Sequence, residues 1–317
     1  MQPHNEFRFH AQVVQINCYW GDGGNTELYL LEGDPLVLID TGVHDTPTKY
    51  IGPALEAYGR KLGDVDLILN THGHYDHTGG NGEMVAASGA KLWIHEADAR
   101  YAEEPAHMFD TFFTNRHVLL GRRDRLETAR AAFTVNAGRP TKVDRKLKDG
   151  EVLDLGKGIR LRVIQTPGHT LGSVIFYWES EGLAFAGDSI LGQTAHPGGF
   201  PLIYFPTEYE RTLDRLLGLD IAVLALGHHY RTHTVPSDSI HFGGSVKAFI
   251  KASREVTDII GDALRQAKSA RPGAGFVEVA RAATDLVAKR LPVTKNEDGL
   301  PITGSVETFY SYWQQSK

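Results

Sequence analysis

Thr71-His72-Gly73-His74-Tyr75-Asp76-His77 places four metal-ligand side chains within six positions, directly after the short apolar run Leu67–Asn70. The run reads as a strand. A strand that opens into a loop fixes one end of the chain and lets several side chains converge at the other. With extended backbone through Gly73, His72 and His74 project to the same side at two-residue spacing. Asp76 and His77 then fall on the following turn, in reach of a second ion. Gly73 and the tail Thr78-Gly79-Gly80 let the backbone turn tightly. Imidazole nitrogen with carboxylate oxygen suits zinc, iron or manganese, and the single cysteine, Cys18, supplies no thiolate set. One such histidine reads as solvated surface; four potential ligands flanked by glycine read as a metal site.

Three more segments extend the pattern. Thr166-Pro167-Gly168-His169-Thr170 follows the strand-like Ile159–Gln165, Gly187-Asp188 follows Leu183–Ala186, and Gly227-His228 follows Ala222–Ala225, with His229 a rival for the last position. Three expected strands thus each deliver a ligand-type residue just past their ends. Further strands are expected at Ala11–Tyr19, Glu27–Leu31, Leu36–Ile39, Lys91–His95, Glu151–Leu155 and Val174–Trp178. Tyr50–Leu62 is weakly helical in pattern and Asn81–Ser88 reads as a helix. Helices interleaved with strands predict an α/β or layered α+β architecture. The stretch 97–144 mixes aromatics (Tyr101, Phe109, Phe112, Phe113) with arginines and is expected to be a helical insertion. Beyond residue 243, apolar positions from Val246 to Ala267 fall at helix spacing, and Phe276–Leu291 resumes it after Arg271-Pro-Gly-Ala-Gly275. The expected organisation is a catalytic domain over 1–243 and a C-terminal helical extension over 244–317.

The bulk numbers exclude several classes. With 317 residues, 41% of them hydrophobic, the chain can bury a sizeable core. A net charge of −6 does not mark a nucleic-acid binder. Met1–Arg8 lacks the apolar run of a signal peptide, and no segment approaches the ~18 apolar residues of a membrane span. One cysteine rules out an intrachain disulfide framework and fits a reducing compartment. The expectation is a cytoplasmic protein with a small-molecule substrate and neither nucleic acid nor membrane as partner. No G-x-S-x-G elbow or Walker motif is present, and Gly21–Gly24 reads as a turn between strands, at most near the mouth of the site.

Taken together, His72-Gly-His74-Tyr-Asp76-His77, Pro167-Gly-His169-Thr, Gly187-Asp188 and Gly227-His228, with Leu38-Ile-Asp40-Thr-Gly42 before them, resemble the metallo-β-lactamase-fold hydrolase superfamily over roughly residues 10–235. The resemblance implies a four-layer αββα sandwich, α+β in class, with the site along one edge where two sheets meet. It gives His72, His74 and His169 to one divalent ion, Asp76, His77 and His228 to a second, and Asp188 to both. Zinc is the expected metal, with iron or manganese as alternatives. Asp40 would orient a ligand histidine without touching an ion. The implied chemistry is attack on an ester-type carbonyl, thioester or lactone, by a hydroxide bridging the two ions, with Asp76 orienting it and passing a proton to the leaving group.

Departures within the superfamily narrow that picture. True β-lactamases of the fold typically lack an aspartate at the position of Asp188. Flavodiiron proteins carry an acidic residue where this chain has His74. Acyl-homoserine lactonases commonly have a tyrosine where this chain has Leu191, leaving Tyr204 or Tyr209 to reach the site from another loop. Helices after the catalytic fold resemble glyoxalase II-like thioesterases. The competing readings are a phosphodiesterase or nuclease of the same fold, a sulfur dioxygenase with one iron, and a non-catalytic metal-binding regulator. The aromatic C-terminus (Phe309, Tyr310, Tyr312, Trp313) packs on the core, on a second copy in a homodimer, or lines an apolar substrate entrance.

Overall fold

A computed structural model describes residues 6–21, 23–193, 198–302 and 304–315. Two sheets carry the fold. The first orders its seven strands as they occur in the chain: β1 (Glu6–His10), β2 (Val13–Trp20), β3 (Gly24–Glu32), β4 (Leu36–Ile39), β5 (Leu67–Leu69), β6 (Lys91–His95) and β7 (Arg145–Leu147). Pairing is antiparallel through β4 and parallel from β4 to β7. The second sheet comprises β8 (Val152–Asp154), β9 (Arg160–Gln165), β10 (Val174–Trp178), β11 (Leu183–Gly187), β12 (Val223–Tyr230) and β13 (Asp238–Phe242), arranged in reverse order. Its parallel pair, β11 and β12, is joined through the helix Pro206–Leu217.

Both faces of the central strands are buried, which explains why these strands are nearly continuous apolar runs rather than alternating ones. Tyr29, Leu31, Val37, Ile39, Leu67 and Leu69 point inward from the first sheet and meet Leu161, Val163, Val174, Phe176, Leu183 and Phe185 from the second. The opposite face of the first sheet (Leu28, Leu30, Leu38, Ile68) packs on Ala54, Leu55 and Met84 of flanking helices. That of the second sheet (Ile175, Ala184, Leu224, Leu226) packs on Leu213, Leu216 and Phe249. These layers make the αββα sandwich. One polar tie crosses it: the Tyr29 hydroxyl donates to the Leu226 carbonyl at 2.6 Å in the buried interior.

Several local expectations change. The expected strand at 222–225 continues to Tyr230, so His228 lies within β12 rather than past its end. The short strands β1, β7 and β13 were not evident from pattern. Tyr50–Leu62 is not one helix. A π-turn at Pro47–Ile51 runs into an α-helix at Gly52–Ala57, and a separate 3-10 turn forms at Leu62–Asp64. Residues 99–137 form short helices whose Phe109, Phe112 and Phe133 share a small core with Tyr75, Phe113 and Tyr204. The long helix Gly244–Ser269 packs its first turns on the second sheet and the rest on Phe276–Val287 and Ser305–Gln315. Phe309 and Tyr312 are buried in that helical cluster and Trp313 packs beside it, so these C-terminal aromatics lie on the chain's own helices. Among the described residues, no helix is long and apolar enough to cross a membrane.

Phe176 is fully buried between the sheets, whereas Phe7 is 57% exposed on β1. Phe176→Ala is expected to cost about 3–5 kcal/mol in chemical denaturation, and Phe7→Ala within about 0.5 kcal/mol.

Candidate metal centre

The site lies at the carboxyl ends of β4, β5, β9 and β11, with β12 running alongside. His74 keeps extended backbone (φ −70°, ψ 150°) and caps the single helical turn Tyr75–Thr78, which lifts Asp76 and His77 toward His72. The rings of His72, His74, His77 and His169 crowd together, with centroids of His72 and His77 4.2 Å apart and those of His74 and His169 4.3 Å apart. Ligand-type atoms converge in three overlapping sets: His72, His74 and His169; His72, His77 and Asp188; and Asp76, His77 and His228. All seven residues nominated from the sequence therefore meet. His228 Nε2 lies 3.4 Å from both Asp76 Oδ2 and Asp188 Oδ2. His229 points to the other side of the strand and pairs with Glu27 at 3.0 Å, so His228 is the one brought to the cluster. His233 pairs with Glu255, and His241 stacks on Phe249.

The hydrogen bonds set the polarity of this cluster. His77 Nδ1 lies 2.8 Å from Asp40 Oδ2 and His169 Nδ1 lies 2.7 Å from the Leu202 carbonyl. His228 Nδ1 faces the Asn25 carbonyl. Carboxylate and carbonyl oxygens only accept, so these three rings carry their proton on Nδ1. The Thr71 hydroxyl donates to Asp40 at 2.7 Å and is left to accept from His72 Nδ1 at 3.1 Å. In its uncharged form each ring turns a lone pair on Nε2 into the site. At His77 and His228 burial favours that form, and the carboxylates of Asp40, Asp76 and Asp188 outweigh it, raising both pKa values above the usual one until a cation displaces the proton. The Nε2 atoms of His77 and His228 face each other at 3.2 Å. Nε2 of His72, His74 and His169 and Oδ1 of Asp188 are buried without any hydrogen-bond partner. Converging, unsatisfied acceptors are costly unless a cation sits among them. The donor set fits divalent metal: imidazole and carboxylate, with no thiol. Burial drives the imidazoles of His72 and His74 well below their usual pKa, which keeps them neutral and ligand-competent. Asp76 is held near a pKa of about 2; burial opposes this, and His77 and His228 outweigh it.

Asp40 lies against the His77 ring, and its backbone shows a constraint. It sits at φ 59°, a region non-glycine residues seldom occupy. From there Oδ1 accepts the Thr71 N–H at 2.8 Å while Oδ2 takes the Thr71 hydroxyl and His77. Gly227 shows why glycine precedes His228: a Cβ there would stand 2.7 Å from His77 Cε1 and 2.8 Å from Asp188 Oδ1.

Two participants were missed from sequence. Asp98, fully buried, accepts the Gly73 N–H at 2.8 Å, the Gly172 N–H at 2.8 Å and the Thr170 hydroxyl at 2.6 Å. It thereby joins the backbone between His72 and His74 to the loop that carries His169. A Cβ on Gly172 would lie 2.4 Å from its Oδ1, so the loop approaches as only glycine permits. Burial pushes the Asp98 carboxyl up to about 6 in spite of those three donors. Tyr230 donates its hydroxyl to Asp188 Oδ2 at 3.0 Å. Its only sequence signal is position: two residues beyond His228 on one strand, hence the same face. Of the tyrosines considered instead, Tyr209 bonds the Leu191 N–H at 2.6 Å, away from the cluster, and the half-buried Tyr204 ring lies 5.8 Å from His74.

The cluster opens into a cleft of about 230 Å³ lined by Trp20, Tyr75, Phe113, Phe200, Leu202 and Tyr230 around His74, Asp76, His169, Asp188 and His228. Gly23, Gly24 and Asn25 also line it, so the glycine turn lies at the mouth of the site; Asp22 is outside the described residues.

Comparison with known proteins agrees with this geometry. Residues 21–228 match the family model of the metallo-beta-lactamase superfamily. A hydroxyacylglutathione hydrolase from Polaromonas sp. (strain JS666) is 31% identical over 170 residues, covering 52% of this chain and 49% of the relative. The chain thus spans about half the length of that curated relative. The probable metallo-hydrolase YqjP of Bacillus subtilis is 23% identical over 313 residues, 92% of this chain and 91% of the relative. The crystal structure of a metallo-beta-lactamase family protein from Thermus thermophilus superposes with a TM-score of 0.67 at 21% identity. It covers 98% of this chain and 95% of that one, a likeness of fold alone. With the family model matched over residues 21–228, the chain belongs to the metallo-beta-lactamase superfamily.

Proposed function

We propose that this protein is a metal-dependent hydrolase of an ester-type carbonyl, a thioester foremost. The observation that carries the reading is the convergence of imidazole nitrogens and carboxylates in which Nε2 of His72, His74 and His169 and Oδ1 of Asp188 are buried without a hydrogen-bond partner. We assign His72, His74 and His169 to one ion, Asp76, His77 and His228 to a second, and Asp188 to both; zinc fits this mixed nitrogen and oxygen set. Divalent ions bound there supply Lewis acidity for a carbonyl oxygen and lower the pKa of water to near neutrality.

The protein's own groups do the rest. Tyr230 holds Asp188 through its hydroxyl, and Asp40 fixes the ring plane of His77. Asp76, 16% exposed toward the cleft, takes the proton of the attacking water on Oδ2 and returns it to the leaving sulfur as the carbon–sulfur bond breaks. The rings around the cleft exclude bulk water from the carbonyl. The thioester preference draws on the relatives named for hydroxyacylglutathione hydrolysis and on the helical segment after residue 243. The buried, unpaired Cys18 thiol is compatible with the cytoplasm as its compartment.

Metal analysis is expected to give two ions per chain, and a chelator to abolish thioester hydrolysis, with zinc restoring it. Asp188→Ala should lose metal and activity together; two ions and normal turnover in that variant would refute the assignment. Asp98→Ala strands the Gly73 and Gly172 N–H groups at ~1–3 kcal/mol each. It is expected to lower stability by about 3–5 kcal/mol in denaturant and to weaken zinc at least about tenfold by chelator competition. Tyr230→Phe should retain both ions while kcat falls about tenfold, as for a lost hydrogen bond of about 1.4 kcal/mol.

A further inference from the structure

The wall of the cleft facing the cluster is made of rings held in fixed positions. Trp20 donates its Nε1–H to Thr26 Oγ1 at 3.0 Å, and its ring lies so close over Gly24 that a Cβ there would stand 2.8 Å from it. Trp20 meets Tyr75 edge-on with centroids 5.8 Å apart, and Tyr75 meets Phe113 the same way at 5.9 Å. Behind them Phe133 backs Tyr75 at 5.3 Å. This wall is therefore formed before any substrate arrives. Charge is one-sided: among the described residues lining the cleft, the carboxylates are Asp76 and Asp188, and none is a lysine or arginine. Arg116, whose field reaches Tyr75 and Tyr204, is itself bound to Glu307 at 2.9 Å.

We infer that the substrate is an uncharged acyl thioester whose acyl group carries an aromatic ring, seated against Trp20, Tyr75 and Phe113, and that a thiol portion bearing carboxylates is disfavoured. Offset and edge-to-face ring contacts add affinity beyond buried area, and away from the ions assigned above a carboxylate meets no lysine or arginine among the described lining residues to offset its lost hydration. The inference rests on the hydrolase reading above and adds the specificity that the metal ligands leave open.

The test compares three thioesters on the metal-loaded protein: phenylacetyl-N-acetylcysteamine, which is neutral; phenylacetylglutathione, with the same acyl group and two carboxylates; and acetyl-N-acetylcysteamine. The neutral aromatic ester is expected to exceed both others in kcat/KM by about tenfold or more. Phe113→Ala and Trp20→Ala should raise its KM about tenfold and affect the acetyl ester less, because that ester has no ring to place. A readout without turnover is the binding of phenylacetamide, followed by isothermal titration calorimetry and expected to weaken in both variants. Equal or better hydrolysis of the glutathione ester overturns this inference and leaves the hydrolase reading standing. No hydrolysis of any thioester with two ions bound overturns the thioester reading instead, and phenylacetamide binding then still decides the pocket: tight and Phe113-dependent supports it, absent overturns it.

Discussion

The carboxylate of Asp98 joins two loops, beside the bond from the Val174 N–H to the Thr71 carbonyl at 2.9 Å. One loop leaves β5 in the first sheet, the other leaves β9 in the second, and the sandwich core ends before either begins. Three donors converge on this one buried group: the amide between His72 and His74, and the amide and hydroxyl that flank Leu171 in the loop after His169. Sheet packing alone fixes strand ends to within the freedom of a loop, while metal coordination tolerates only a few tenths of an ångström. The bond from the Tyr29 hydroxyl to the Leu226 carbonyl acts in a similar way on the opposite flank, setting β12 and hence His228 against the first sheet.

Around that brace, the polarity of the site is imposed from outside inward. Each ligand histidine whose tautomer can be read has its Nδ1 anchored by an oxygen from a different element: Asp40 after β4, Thr71 after β5, Leu202 in the loop before the helix Pro206–Leu217, and Asn25 in β3. Such outer contacts determine both ring orientation and which nitrogen is free. The left-handed backbone of Asp40, at φ 59°, carries a carboxylate that serves Thr71 and His77 together.

The sequence was most informative where the chemistry is local. His72, His74, Asp76 and His77 share one loop, and a periodic apolar run fixes where that loop starts. His169, Asp188 and His228 were found because glycine stands beside or close to each at a strand terminus, even though β12 extends past the end expected of it. Asp98 and Tyr230 were not legible for the same physical reason: their partners lie 25, 72 and 74 residues away for Asp98 and 42 away for Tyr230, and a lone aspartate in Ala97-Asp98-Ala99 has no local pattern. Strands of three to five residues such as β1, β7 and β13 are too short for a period to register, and they form because a neighbouring strand offers unpaired amides. The break within Tyr50–Leu62 follows from Gly59 at φ 67°, a residue whose left-handed backbone ends a helix.

The helix Gly244–Ser269 has a consequence for how the molecule comes apart. At 26 residues it is a rod of about 39 Å, and its two ends are embedded in different apolar clusters, Val246 and Phe249 beneath the second sheet and Ile260 and Leu264 among the C-terminal helices. Loosening either cluster removes the support of a helix that the other requires. The sandwich and the terminal helices are thereby coupled in cooperativity, so that heat or denaturant meets one melting unit where the succession of elements along the chain suggests two.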